Sequence, residues 1–170
     1  DWRMGVDAAA SYAVLPAPSF GVSVRIERAL TRTAALRLTL QEQNSLRAQL
    51  GAGKLDAQLM AAQLEVCTQL WEWPRARLGG CVGIVAGMFW AHGHGFDASR
   101  TGYGSLFAWT NAITLRVDLS ASWAVQSALG LLVPFRRSRF VVRDRTGAFD
   151  AEHTSSPLGA LLWIGPSYAF

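Results

Sequence analysis

The chain has 170 residues, of which 51% are hydrophobic, a formal net charge of +4 and a mean hydropathy of +0.18. No stretch approaches the roughly 18 uncharged apolar residues of a membrane-spanning helix, so an α-helical membrane protein is excluded. The positive charge comes almost wholly from arginines that form neither a block nor a helical stripe, and no nucleic-acid partner is expected. We expect a single domain over residues 1–170.

Apolar and polar residues alternate along most of the chain, which predicts β-strands rather than helices. The first strand covers residues 2–14, and the turn at residues 15–18 ends it because its two prolines cannot sit in a central ladder. The second strand covers residues 20–27, and a third begins near residue 36 after a break. Because alanine, leucine and glutamine favour helix, a helix over residues 34–70 is the main alternative.

A hairpin tip is predicted at residues 51–54, where two glycines lie close together. Pairing Leu50 with Leu55 across this tip places apolar residues opposite apolar ones and polar residues opposite polar ones. Beyond the tip, the apolar phase that begins with Leu55 and Leu59 moves by one residue. This shift predicts a β-bulge near residues 61–62.

The second half of the chain continues in the same way, to about eight strands in total. A turn is predicted at residues 72–75, a polar loop at residues 92–104 and a short turn at residues 120–122. Residues 136–156 form either a loop or a protruding hairpin. The last strand covers residues 158–170.

The last strand has an apolar face that is interrupted by one proline and ends in Tyr168 and Phe170. It resembles the closing strand of bacterial outer-membrane β-barrels, in which a terminal phenylalanine is the assembly signal. The resemblance extends over essentially the whole chain. It implies an OmpA/OmpX-like fold: all-β, an eight-stranded antiparallel up-and-down transmembrane barrel with both termini periplasmic, in the bacterial outer membrane. No signal peptide precedes Asp1, so a mature or excised form is expected.

Turn lengths agree with this resemblance. With both ends periplasmic, the turns near residues 31, 73 and 121 are periplasmic and short. The connections near residues 17, 52, 98 and 146 are then extracellular, and the last two are long. Short periplasmic turns with longer outer loops are typical of the family, although a soluble lipocalin-like carrier remains an alternative.

Aromatic residues cluster at both predicted ends of the strands, as expected for rings at the two membrane interfaces. The predicted girdles consist of Trp2, Trp123, Tyr168 and Phe170 at the periplasmic ends and of Tyr12, Phe20, Trp90, Phe107, Trp109 and Phe135 at the outer ends.

The two cysteines, Cys67 and Cys81, are equally far from Pro74, so a hairpin centred on that proline places them opposite each other. Both lie on the polar or small-residue face of their strands. We therefore predict a disulfide inside the barrel, which an oxidising envelope permits. A pair of free thiols is the alternative.

Charged residues on the inward faces predict a lumen that is polar and plugged, because side chains fill barrels of about eight strands. Such charges must pair away from water, and Glu27 is predicted to lie opposite Arg37. An open pore is not expected. The predicted network consists of Arg3, Asp7, Arg25, Glu27, Arg37, Glu65, Arg77, Arg116 and Asp118.

Catalytic signals are weak. His153 and Ser155 resemble the His-x-Ser element of outer-membrane lipid A deacylases, in which the histidine activates the serine. No acidic residue follows the element to orient the histidine. His92 and His94 lie on a glycine-rich loop, and two ligands are too few to predict a metal site. We expect neither a metal nor a cofactor.

The predicted outer loop carries five arginines, Arg136, Arg137, Arg139, Arg143 and Arg145, which suit contact with the phosphates of lipopolysaccharide or with a partner. The alternative is a solvated hairpin that continues the strands. The leading functional hypothesis is a non-enzymatic membrane anchor or scaffold, as the barrel subunit of a larger cell-envelope complex. Its expected surroundings are outer-membrane lipid, lipopolysaccharide and envelope proteins, and a lipid A hydrolase is the enzymatic alternative.

Overall fold

The structure is a computed structural model that describes residues 1–50, 53–94, 101–136, 139–143 and 149–170, and the side chains of residues 1–48, 54–92, 102–136 and 154–170. The strands are, in chain order, β1 (Trp2–Tyr12), β2 (Ser19–Ala29), β3 (Ala34–Ser45), β4 (Ala48–Leu50), β5 (Gly53–Glu72), β6 (Ala76–His94), β7 (Thr101–Asp118), β8 (Trp123–Pro134), β9 (Arg139–Arg143), β10 (Phe149–Thr154) and β11 (Gly159–Ala169). The helical alternative for residues 34–70 is therefore wrong. The described part of the chain has no helix that is long and apolar enough to cross a membrane.

Eight long strands close into an antiparallel ring in the order β1, β2, β3, β5, β6, β7, β8 and β11. The ring closes where β1 pairs with β11, and two backbone hydrogen bonds extend this seam: Trp2 N donates to Phe170 O (3.2 Å) and Phe170 N donates to Trp2 O (3.0 Å). Closure gives each of the eight long strands a hydrogen-bonded neighbour on both sides, which is what a sheet in lipid requires. The predicted eight-stranded up-and-down barrel is confirmed.

The barrel has two ends that differ in their connections. The terminal end, as we call it, carries Trp2, Phe170 and the three short turns at residues 30–33, 73–75 and 119–122. The opposite, loop end carries the connection at residues 13–18 and the β9–β10 hairpin. In that hairpin the backbone of β10 pairs antiparallel with β9, so residues 136–156 contain a hairpin rather than only a loop.

Large apolar side chains face outward on the long strands and are exposed, as Val22, Ile113 and Leu129 illustrate. An exposed apolar surface that surrounds a whole protein is incompatible with water and is typical of a barrel in lipid. The outward orientation argues against the soluble lipocalin-like alternative, which requires the opposite arrangement.

The prediction of a β-bulge at residues 61–62 is wrong, because β5 is regular there. Every odd-numbered residue from Leu55 to Cys67 faces inward without interruption, and the pairing of β5 with β3 is regular throughout. Leu55 and Leu59 are therefore lumen residues and do not face lipid. The prediction was wrong because it took apolar to mean outward, whereas this part of the lumen is itself apolar.

The predicted register of the hairpin between β4 and β5 is also wrong. Leu50 pairs with Gly53 and Ala48 pairs with Leu55, so Leu50 and Leu55 are not opposite each other. Matching like with like could not fix this register, since leucine occurs on both faces of β5. Residues 51–52 at the tip lie outside the described residues.

Candidate functional site: the lumen and its rims

The terminal half of the lumen holds a network of ion pairs that includes all nine of the charged residues predicted to face inward. The closest nitrogen–oxygen distances are 3.2 Å for Arg3–Glu27, 3.2 Å for Arg25–Asp7, 2.9 Å for Arg37–Glu27, 3.7 Å for Arg37–Glu65, 3.7 Å for Arg77–Asp118 and 2.6 Å for Arg116–Asp118. The strand order brings these groups together because β1, β2, β3, β5, β6 and β7 are consecutive in the ring.

Arg25 and Asp7 form a deeply enclosed pair, with side-chain exposures of 5% and 2%. Ser23 Oγ donates a further hydrogen bond to Asp7 Oδ2 (3.3 Å). Gly5 lies opposite Arg25, and a Cβ at this position would collide with the guanidinium group. A glycine here therefore gives the arginine its path to the carboxylate.

Arg37 joins three neighbouring strands. In the backbone register, Glu27 on β2 lies opposite Arg37 on β3, and Arg37 lies opposite Glu65 on β5. The Nε and Nη2 groups of Arg37 both donate to Glu27 Oε2, at 3.2 and 2.9 Å. One arginine between two carboxylates satisfies a buried guanidinium group, which could not lie there unpaired without a large cost.

Glu72 belongs to the same network and was missed in the sequence, because uniform alternation along β5 places it on the lipid side. The structure has a β-bulge between Gln69 and Trp71, after which Trp71 pairs with Leu78 and Glu72 pairs with Arg77. Arg77 Nε donates to Glu72 Oε1 at 3.0 Å. With Glu72, the network holds five arginines (Arg3, Arg25, Arg37, Arg77, Arg116) and five carboxylates (Asp7, Glu27, Glu65, Glu72, Asp118), and its formal charge is zero.

Cys67 and Cys81 form the predicted disulfide, at paired positions of β5 and β6 with a Cα–Cα distance of 4.0 Å. Both are buried in the lumen. The two sulfurs and a carboxylate oxygen of Glu65 lie within 4.8 Å of one another. The bond between the sulfurs occupies the thiolates that would otherwise make this group attractive to a soft metal ion.

The loop half of the lumen is mostly apolar, although Ser11, Ser19 and Gln43 form a buried hydrogen-bonded cluster on its β1–β3 side, so the predicted polar lumen describes this half only in part. Phe89 packs over Gly104 on the neighbouring strand, where a Cβ would overlap its ring. Trp163 lies at the border with a polar group on β3, and its indole Nε1 donates to Gln41 Oε1 (3.3 Å). The buried apolar side chains here include Leu15, Leu55, Leu59, Val85, Phe89, Leu106, Leu132, Leu161 and Trp163.

Ser155 lies buried at the loop end, beside a cavity of about 10 Å³ that Leu15, Leu59 and Phe89 also line. This volume is close to that of a single water. The backbone of His153 pairs with Phe140 in the β9–β10 hairpin, but its side chain lies outside the described residues. Catalysis by His153 and Ser155 therefore stays the alternative to the predicted non-enzymatic role.

The remaining histidines and the five arginines of the outer loop belong to the loop end. His92 is exposed near the end of β6, and the side chain of His94 lies outside the described residues. Arg136 is exposed, and Arg139 and Arg143 begin and end β9. Arg137 and Arg145 lie outside the described residues, as do the side chains of Arg139 and Arg143.

The structure places all ten predicted girdle residues on the outward face. Trp90 is half-buried and the other nine are exposed. Contacts between neighbours include Trp123 with Tyr168 and Phe107 with Phe135, each with ring centroids 5.1 Å apart. Sequence reasoning missed three exposed aromatic residues of the rims, Trp71, Trp73 and Tyr103.

No protein-family model matches this chain, and no curated protein matches it in sequence. Its fold is similar to solved outer-membrane barrels. OprG from Pseudomonas aeruginosa matches with a TM-score of 0.69 and 9% identity, over 99% of this chain and 95% of OprG. A major outer membrane protein from Thermus thermophilus matches with a TM-score of 0.65 and 14% identity, over 100% of both chains.

The attachment invasion locus protein Ail of Yersinia pestis, solved in complex with the heparin analogue sucrose octasulfate, matches with a TM-score of 0.56 and 9% identity, over 99% of this chain and 96% of Ail. At such identities the likeness concerns the fold, and it agrees with the predicted location in a bacterial outer membrane.

Proposed function

We propose that this chain, an eight-stranded barrel with the fold of small outer-membrane proteins, is a non-enzymatic membrane anchor or scaffold over residues 1–170. Its lumen is closed by its own side chains and does not form a pore. In this role the barrel holds loops and partners at the membrane, as the barrel subunit of a larger cell-envelope complex.

The observation that carries the proposal is the filling of the lumen by two different layers. Paired charges occupy the terminal half, and apolar side chains such as Leu59 and Phe89 occupy the loop half. The disulfide between Cys67 and Cys81 lies beside Glu65 in the terminal half. Ions would have to break buried ion pairs and then cross an apolar layer, which opposes conduction at both steps.

Conductance of the purified barrel in a planar lipid bilayer tests the closed lumen. We expect no stable channels from the unaltered protein. The double variant Leu59→Ala, Phe89→Ala is the comparison. It truncates two side chains of the apolar layer and so widens the loop half of the lumen. Stable, reproducible channels from the unaltered protein would contradict the proposal.

Affinity capture from detergent-solubilised envelopes tests the anchor or scaffold role. A tag at either end of the chain lies at the terminal end and leaves the loop end free. We expect one or more envelope proteins in constant ratio to the barrel. Recovery of the barrel alone, at detergent concentrations that preserve known envelope complexes, would count against this role.

We further propose that the five arginines of the outer loop contact phosphates of lipopolysaccharide. Arginine forms bidentate hydrogen bonds with phosphate, and these residues flank or lie within the β9–β10 hairpin. Replacing all five by glutamine should lower the binding of lipopolysaccharide to the purified barrel, measured at low and at physiological salt. Unchanged binding would leave the hairpin as a structural extension of the strands.

A further inference from the structure

Glu42 on β3 is an exception among the acidic residues of the barrel. Of the acidic side chains that the structure describes in the strands, every other one lies within ion-pair distance of an arginine, including Asp56 beside Arg47 at 3.6 Å. Glu42 faces outward and is half-buried, and its cross-strand neighbours are the exposed apolar residues Val22 and Met60. A carboxylate on the lipid side of a strand is costly unless something compensates its charge.

A chain of hydrogen bonds holds Glu42 in position. Gln58 Nε2 donates to Glu42 Oε1 at 2.6 Å, and Trp90 Nε1 donates to Gln58 Oε1 at 2.7 Å. An indole nitrogen can only donate, so the amide oxygen of Gln58 must face Trp90 and the amide NH2 must face Glu42. The second oxygen of Glu42 receives no hydrogen bond from the described residues. These hydrogen bonds thus fix the Glu42 carboxylate as an oriented acceptor on the outer surface of the barrel.

An apolar groove with a volume of about 490 Å³ runs beside this carboxylate across the outer surface of β2, β3, β5 and β6. Leu40, Met60 and Met88 form its sides, and the small side chains of Ala62 and Ala86 form its floor. The volume lies within the range of pockets that bind small molecules, about 300–1,000 Å³. A protein partner would instead need a contact of roughly 800 Å² on each side.

We propose that this groove binds a phospholipid with a primary ammonium head group. One acyl chain lies along the groove, and the ammonium group donates to the free oxygen of Glu42. The ammonium supplies both the missing positive charge and the missing donor, which a quaternary choline group cannot do. The level of the site suits a head group. Glu42 pairs with Val22, which lies two residues further from the loop end than Phe20, an exposed aromatic residue of the loop-end rim. This inference does not depend on the proposed anchor or scaffold role.

Native mass spectrometry of the detergent-solubilised barrel can test the proposal, with dilauroyl phosphatidylethanolamine as the probe and the matched phosphatidylcholine and phosphatidylglycerol as comparisons. We expect the ethanolamine lipid to be retained roughly tenfold better than the other two, the size expected for one charge-assisted hydrogen bond. Glu42→Gln should reduce this preference to about twofold or less. Asp56→Asn should preserve it, because Asp56, an acidic residue of the neighbouring strand β5, already lies beside Arg47.

A second variant distinguishes the site from a defect in folding. Ala86→Phe fills the floor of the groove without touching the carboxylate and should also abolish retention of the ethanolamine lipid. Ile113→Phe, on the outward face of another strand, is the matched control and should leave retention unchanged. Every variant is first checked for the heat-dependent gel mobility of a folded barrel.

Equal retention of the three lipids by the unaltered protein would overturn the proposal, and so would an unchanged preference in Glu42→Gln. A second copy of the chain or a basic peptide that occupies the groove, and is lost on Glu42→Gln, would overturn it in favour of a protein partner.

Discussion

Glu72 lies opposite Arg77 at the terminal end of the lumen, with 3.0 Å between Glu72 Oε1 and Arg77 Nε. The bulge between Gln69 and Trp71 makes this contact possible, because it absorbs one extra residue, Leu70, on the β5 side. Without the bulge, Trp71 would lie opposite Arg77 inside the lumen and Glu72 would face lipid. The irregularity therefore brings a carboxylate into the lumen and a tryptophan into the rim at the same time.

The bulge leads to a prediction about deletions in β5. Removing Leu70 should give a regular ladder that keeps Trp71 and Glu72 on their present faces, so we expect this variant to fold. Removing Ala62, from the regular part of the same strand, should turn every following side chain to the wrong face and prevent folding. The measurement is the fraction of refolded barrel in vesicles, read from gel mobility without heating. If removing Leu70 is as harmful as removing Ala62, the interpretation of the bulge is wrong.

The enclosed pair of Arg25 and Asp7 should be far more important for stability than an ion pair at the surface. Asp7→Asn leaves a buried guanidinium group unpaired, and we expect a loss of about 3–5 kcal/mol in the free energy of unfolding. Asp56→Asn is the control, because Arg47 and Asp56 are 71% and 36% exposed and such pairs contribute about 1 kcal/mol or less. Urea unfolding in lipid vesicles measures both values, and similar losses would contradict the argument.

The disulfide should be present in the purified protein without any added oxidant. Alkylation without a reductant, followed by mass spectrometry, should leave both Cys67 and Cys81 unmodified. The bond encloses a loop with a sequence separation of 14, so its reduction should lower the free energy of unfolding by about 3 kcal/mol or less. Alkylation of two thiols in the folded barrel would instead support the alternative of free cysteines.

Two leucines on opposite faces of β5 test the apolar half of the lumen. Leu59 is 0% exposed inside the barrel, whereas Leu64 is 45% exposed on the lipid side. Leu59→Ala should cost about 2–5 kcal/mol because it leaves a cavity among packed side chains. Leu64→Ala should cost clearly less, since lipid chains can fill the space. Equal costs in urea unfolding would show that the loop half of the lumen is not tightly packed.

Alternation along the chain was enough to predict the number of strands, the face on which most residues lie, and the disulfide. These features depend on short-range geometry: successive side chains on a strand point to opposite faces, and residues equally far from a tight turn meet across it. The predicted position of Glu27 opposite Arg37 follows from the same counting, since the turn at residues 30–33 is short.

The features that could not be predicted from the sequence depend on closure of the ring. Whether Leu55 and Leu59 face lipid or the lumen depends on Phe89, Leu106 and other side chains from strands that are distant in the sequence. The outward chain from Trp90 through Gln58 to Glu42 likewise joins three strands, and its groove exists only once they are adjacent. The physical reason is that both surfaces of this barrel accept apolar side chains. Hydrophobicity along one strand therefore cannot tell the inside from the outside there, and only packing between strands can.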